Sequence, residues 1–256
     1  MKFRILAIAL AFTFQLLAAC GSANSELTIG GAASLGPVLQ EISKLYKESY
    51  PERTLLLSMA SSGAIARQIE QGAPIDLFFS AAEDKMQALE DQGLIQADSR
   101  RTVLQNTLVL IVLAGRDESA PVAWEQLLSM DGSLAIGEPE SVPAGKYARQ
   151  WLQALGIWEG LEPKMVFTSN VRQALVYTER AEVAAGIVYG SDAAGSKAVK
   201  IVAVGDANRM PKISYPLAIT RQSENLLAAQ EFMEWLFTEE AVRQLFQEYG
   251  FIWSLE

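Results

Sequence analysis

From Glu26 onward, short apolar runs rich in branched residues alternate with stretches whose apolar residues recur every three or four positions. Runs of the first kind suit strands, because branched side chains pack on a pleated surface; the second spacing puts apolar groups on one helix face. Residues 27–29, 54–59, 76–80, 107–113, 134–136, 164–167, 183–189, 199–204 and 213–220 read as strands. Between them, Leu35, Leu39, Ile42 and Leu45, and again Tyr147, Trp151, Leu152 and Leu155, have helical spacing. This alternation predicts an α/β chain with mostly parallel sheets flanked by helices. Two of the strands, 107–113 and 213–220, follow polar stretches, at 96–101 and 205–212. Read as crossings between lobes, they divide the chain into one lobe of 26–105 with 214–256 and another of 106–213.

The first twenty residues follow a different pattern. Lys2 and Arg4 precede an apolar run from Ile5 to Leu17, broken only by Thr13 and Gln15, and small residues follow. That order is the signature of a secretory signal peptide, here residues 1–19, and it predicts export. Leu17-Ala18-Ala19-Cys20 resembles the lipobox of bacterial lipoproteins, in which the cysteine becomes the lipidated N-terminus. Residues 20–25 then form a small, polar tether, and the domain is periplasmic, held at a membrane through Cys20 rather than spanning it. An ordinary signal peptide with a chance cysteine is the alternative.

Composition narrows the chemistry. The 256 residues include no histidine and one cysteine, so there is no Ser-His or Cys-His couple, no His metal ligand, no internal disulfide and no Cys-rich zinc site. The net charge is −9, and removal of residues 1–19 takes away Lys2 and Arg4 but no acid, making it −11. A field of that sign disfavours nucleic acid and anionic membrane surfaces as partners. An anionic ligand must be held by local groups.

Those groups gather at three strand-to-helix junctions: Gly30-Gly31-Ala32-Ala33-Ser34-Leu35-Gly36-Pro37, Ala60-Ser61-Ser62-Gly63, and Gly137-Glu138-Pro139-Glu140-Ser141-Val142-Pro143-Ala144-Gly145-Lys146. Ser suits a helix N-cap and Pro the first helical turn. A helix N-terminus also offers unpaired N–H groups and a positive dipole end, so several converging on one crevice hold an anion without Lys or Arg. The enzyme lookalikes fail. Ala32-Ala33-Ser34-Leu35-Gly36 is one Gly short of a nucleophile elbow in a chain without histidine, and Ala144-Gly145-Lys146-Tyr147 lacks the first Gly and the Ser or Thr of a Walker A loop.

The chain resembles the periplasmic molybdate-binding proteins of ABC importers. The resemblance rests on Ala32-Ala33-Ser34-Leu35; Ala60-Ser61-Ser62 with Ala66-Arg67-Gln68-Ile69-Glu70 and Gly72-Ala73-Pro74; Asp76-Leu77-Phe78 with Ser80-Ala81; Val142-Pro143-Ala144-Gly145; Asn170-Val171-Arg172-Gln173-Ala174-Leu175; Gly186-Ile187-Val188-Tyr189-Gly190-Ser191-Asp192-Ala193; and Tyr249-Gly250-Phe251. These pieces run in family order over nearly the whole chain after the tether. They imply a two-lobed, class II periplasmic binding protein fold that closes on molybdate or tungstate in the inter-lobe cleft. They further imply a monomer, no cofactor, no metal coordinated by the protein, and delivery to an ABC permease and ATPase complex. By position, the implied ligand contacts are the hydroxyl and N–H of Ser34 and Ser62, the N–H groups of Ala144 and Val171, and the phenol of Tyr189. Gly63 departs from the pattern, since some relatives carry Ser there.

Residue chemistry agrees with that set. Molybdate and sulfate carry no proton near neutral pH, so their site needs donors only, whereas monohydrogen phosphate needs an acceptor for its proton. Ser, Tyr and backbone N–H all donate. Taken singly, each of the five has a structural reading as cap, helix starter or core aromatic, and Arg67, Asp76 and Lys146 read as structural or surface residues. Three rivals remain: the same fold serving another oxyanion or small solute, an exported enzyme working through paired carboxylates, and a ligand-sensing module. No acidic pair stands out by spacing, and no DNA-binding or membrane-spanning segment is attached.

Overall fold

The computed structural model describes residues 26–115 and 123–254; the expected signal peptide, Cys20 and the tether lie outside the described residues. In chain order the elements are β1 (Glu26–Ala32), α1 (Gly36–Ser49), β2 (Thr54–Ala60), α2 (Ser62–Glu70), β3 (Leu77–Phe79), α3 (Glu83–Asp91), β4 (Arg101–Asn106) and β5 (Leu108–Leu113). There follow β6 (Leu134–Gly137), α4 (Pro143–Ala154), α5 (Trp158–Leu161), β7 (Met165–Thr168), α6 (Val171–Glu179), β8 (Ala185–Tyr189), α7 (Gly190–Ala194) and β9 (Val199–Val204). The chain ends with β10 (Ile213–Ile219), α8 (Leu226–Thr238), α9 (Glu240–Glu248) and β11 (Ile252–Trp253).

Two sheets result. The first has six strands in the order β11-β4-β10-β3-β1-β2, the second five in the order β7-β6-β8-β5-β9. Helices cover them with apolar stripes: α1 turns Val38, Leu39, Ile42 and Tyr46 inward, and Tyr46 meets Phe232 edge-on and Trp235 from α8. Pro37 sits in the first turn of α1, where no backbone donor is lost.

The expectation of mostly parallel sheets needs correction. β1 pairs in parallel with β2 and β3, and β6 with β7 and β8. The other five pairings, all involving β4, β5, β10 or β11, are antiparallel. Strand-helix-strand units give parallel neighbours, but β5 and β10 each enter a sheet straight from the other one, against the local strand direction. The long run 101–113 is also two strands rather than one that begins at 107. Only Thr107 separates β4, in the first sheet, from β5, in the second. The Oδ1 of Asn106 accepts the Thr107 N–H at 2.9 Å across this switch. The chain returns through residues 205–212 into β10.

Candidate functional site

The carboxyl ends of β1, β2, β6, β7 and β8 run through short junctions into helix N-termini, and these junctions meet at one cavity between the sheets. It is lined by Ala32, Ala33, Ser34, Ser61, Ser62, Ala81, Val142, Pro143, Ala144, Val171 and Tyr189. All five residues expected from the sequence are among them, and no charged side chain is.

Each junction exposes donors in its own way. Ser34 lies in a 3₁₀ turn before α1 and caps nothing; its Oγ lies 3.0 Å from the Tyr215 hydroxyl. At the second junction the cap is Ser61, whose Oγ accepts the Ala64 N–H at 3.2 Å. Ser62 is thereby the first residue of α2, and its Oγ accepts the Ala81 N–H at 2.9 Å. Since a backbone N–H only donates, the Ser62 hydrogen is left to point elsewhere, and the cavity is beside it. Ala144 stands in the first turn of α4, after Pro143, and Val171 opens α6, where the Asn170 side chain accepts the Gln173 N–H at 3.1 Å. Neither first-turn N–H has an intrahelical acceptor.

Tyr189 ends β8 and is 1% exposed. Its hydroxyl is fully buried and has no hydrogen-bond partner among the described residues. Burial pushes both the Tyr189 and Tyr215 phenols well above their ordinary range, so both hydroxyls stay protonated at neutral pH. Buried polar groups are nearly always paired, and an orphaned donor aimed into a cavity lined by other donors points to a guest that accepts.

Close approach between the two halves shapes the cavity. The Gly63 N–H, on α2, donates to the Ser141 carbonyl, ahead of α4, at 3.2 Å. A Cβ on Gly63 would lie 2.6 Å from that oxygen, so this glycine permits the close approach. Alongside, Lys146 Nζ on α4 lies 2.9 Å from Asp84 Oδ2 on α3. Lys146, read from sequence as structural or surface, makes this partly exposed ion pair between the halves, and Asp76 is structural: it accepts from the Thr28 N–H and the Ser223 hydroxyl.

Sequence reasoning missed Asn106, Tyr215 and Asp192. Asn106 and Tyr215 stand behind Ser34, and their only sequence signal was a polar residue at the end of one buried strand and a Tyr inside another. Asp192, on α7, is buried with Arg172 Nη1 at 3.5 Å, and burial pushes its carboxyl up to about 6. A larger groove of about 560 Å³ lies elsewhere, but its lining includes Glu26, Asp76 and Glu224, which suits no anion. Among the described residues no group of three or more His, Cys, Asp or Glu could hold a metal ion, and no helix is long and apolar enough to cross a membrane.

Comparison with known proteins agrees with this geometry. Residues 27–252 match the family described as bacterial extracellular solute-binding proteins. The chain is 40% identical over 252 residues to YvgL of Bacillus subtilis (strain 168), whose name describes an ABC transporter substrate-binding lipoprotein, covering 95% of this chain and 96% of that one. It is 39% identical to the molybdate-binding protein ModA of Escherichia coli (strain K12), covering 89% of each. Its fold is shared by the periplasmic molybdate-binding protein of Azotobacter vinelandii, with a TM-score of 0.78 at 24% identity over 88% of this chain and 98% of that one.

Proposed function

The chain belongs to the bacterial extracellular solute-binding proteins, and from that premise we propose that its solute is molybdate or tungstate, captured between the two sheets and delivered to an ABC permease and ATPase complex. The observation that carries this reading is the buried, unpartnered Tyr189 hydroxyl in a cavity that offers donors and no charged side chain. Ser34 and Ser62 supply hydroxyl and backbone N–H groups from one half. Ala144 and Val171 supply N–H groups and Tyr189 its phenol from the other. The lobes are 26–105 with 214–256 and 106–213, so a bound anion touches both and favours the closed arrangement. Fixed neutral donors discriminate by distance, which supports selection of molybdate over the smaller sulfate.

Cys20, as the lipidated N-terminus after loss of residues 1–19, would tether the monomeric domain at the membrane beside its transporter. The relative named as a lipoprotein supports this placement. Titration of the Ser34→Ala/Ser62→Ala double variant with molybdate tests the site. Affinity should fall by more than about a hundredfold, since hydrogen bonds to a charged group contribute roughly 1.5–3 kcal/mol each. Unchanged affinity would reject the assigned residues.

A further inference from the structure

Behind Ser34 lies a chain of side chains whose hydrogen-bond polarity is determined from its far end. The Oδ1 of Asn106 accepts two backbone N–H groups, that of Thr107 at 2.9 Å and that of Ser191 at 3.4 Å. Because those groups only donate, the atom facing them is the oxygen and the amide orientation is settled. Asn106 Nδ2 therefore faces the other way, donating to the Ser191 hydroxyl at 2.8 Å and to the Tyr215 hydroxyl at 3.2 Å. Since Asn106 Nδ2 only donates, the hydrogen of the buried Tyr215 hydroxyl has Ser34 Oγ, 3.0 Å away, as its acceptor. Ser34, accepting there, is left with its hydrogen for the cavity.

Position strengthens the case. Asn106 is the last residue of β4, one residue before the chain changes sheets, and Tyr215 lies on β10, the strand that returns. Both are buried, at 7% and 0% exposure, and the Tyr215 ring is held edge-on between Tyr189 and Phe251. Neither residue lines the cavity.

We propose that Asn106 and Tyr215 are positioning residues that occupy one lone pair of the Ser34 hydroxyl and so bias its hydrogen toward the bound anion. This inference rests on the reading of the cavity as a molybdate site and adds two residues that tune its preference for anions without a proton. A serine free to rotate offers either a hydrogen or a lone pair. With one of its two lone pairs taken up by the Tyr215 hydrogen, it presents a lone pair to the cavity in fewer orientations, which favours an anion that only accepts over monohydrogen phosphate, whose O–H needs an acceptor.

The test compares molybdate with phosphate at pH 8, where both are dianions, so that general electrostatic effects of a substitution cancel in the ratio of their affinities. Titrations use the wild-type protein, Tyr215→Phe, Ser34→Ala, the double variant, and Asn106→Asp. The last keeps an acceptor for both backbone N–H groups and replaces the donor by a carboxylate oxygen, whose charge acts on both dianions alike. Tyr215→Phe should weaken molybdate about tenfold, and it should change affinity less than about twofold once Ser34 is already Ala. In both Tyr215→Phe and Asn106→Asp the molybdate-to-phosphate ratio should fall by about twofold or more, because Ser34 regains the lone pair that the relay had occupied. Equal cost of Tyr215→Phe in both backgrounds, or a ratio that stays constant while both affinities fall together, would show a merely structural role and overturn the relay. Failure of the wild-type protein to bind molybdate would overturn the functional reading and the relay with it, whereas normal wild-type binding with an unaltered ratio in the variants overturns the relay alone.

Discussion

Ser34 and Ser62 follow strands in similar surroundings, yet each acquires its donor role from a different neighbour: Ser62 from the Ala81 N–H, Ser34 from a side chain 181 residues away. Local sequence marked the junctions that hold the serines, because small residues between a strand and a helix are recognisable, while the family resemblance singled out the two residues. It could not carry Tyr215 or Asn106, whose roles exist only once distant strands are brought side by side. Tyr189 is the sharpest case at this scale. Its hydroxyl costs stability while it stays unpaired, so Tyr189→Phe should leave the ligand-free protein as stable or about 1 kcal/mol more stable, while weakening molybdate by about tenfold or more. Thermal unfolding without ligand, paired with a binding titration, separates the two effects. A variant that loses stability and keeps its affinity would remove the phenol from the site.

Among the elements, the strand-helix alternation was legible because the period changes from two to 3.6 within each unit, and the helix starts at Pro143 and after Ser61 follow from capping chemistry. Strand direction was not legible where the chain changes sheets, since only 107–113 reads as a strand there, the segment 101–106 gives no separate signal, and Thr107 carries no turn signal. β11, two residues long, is too short for any periodicity. The meeting of α2 with the loop before α4 depends on Gly63, where an added Cβ would strike the Ser141 carbonyl. Gly63→Ala should weaken molybdate binding about fivefold or more, the effect of roughly 1 kcal/mol of overpacking at a contact between the halves. Binding at wild-type strength would show that the two halves need not approach so closely. Helix α7 adds a pH effect. Burial raises the Asp192 carboxyl from 3.8 to about 6, while Arg172 pulls the other way. The folded protein thus holds this proton more tightly than the unfolded chain, so the contribution to stability is full below pH 4 and is lost as pH rises through 6. Asp192→Asn, which imitates the neutral carboxyl, should match the wild type near pH 4 and exceed it by about 3 kcal/mol at pH 7 to 8, read from urea unfolding. A difference that does not change over that range would contradict the assignment.

For the whole molecule, the division of labour is between a negative surface and a locally donating interior. The sequence carries a net charge of −9, yet the cavity offers only N–H and O–H groups, so capture of a dianion depends on the convergence of helix N-termini and not on the overall field. Lys146 and Asp84 link the halves near the site, but their side chains are 34% and 45% exposed. Lys146→Met should therefore weaken molybdate less than about fivefold, far less than loss of either serine, and a larger loss in titration would give the ion pair a role in binding that its exposure does not support. The two-sheet architecture was legible from the order of elements, and the cavity from the order of the small-residue junctions. How closely the halves meet was not, because it is decided by single contacts between distant loops.

The central claim is that a donor-only cavity captures a fully deprotonated tetrahedral oxyanion. Calorimetric titration of the purified protein at pH 8 with molybdate, tungstate, sulfate and phosphate tests it most directly. Molybdate and tungstate should each bind one-to-one and displace one another. Sulfate should be weak by size, and phosphate about a hundredfold weaker or more, the cost of an O–H left without an acceptor. Silence toward molybdate and tungstate, or phosphate binding as tightly as either, would contradict the account.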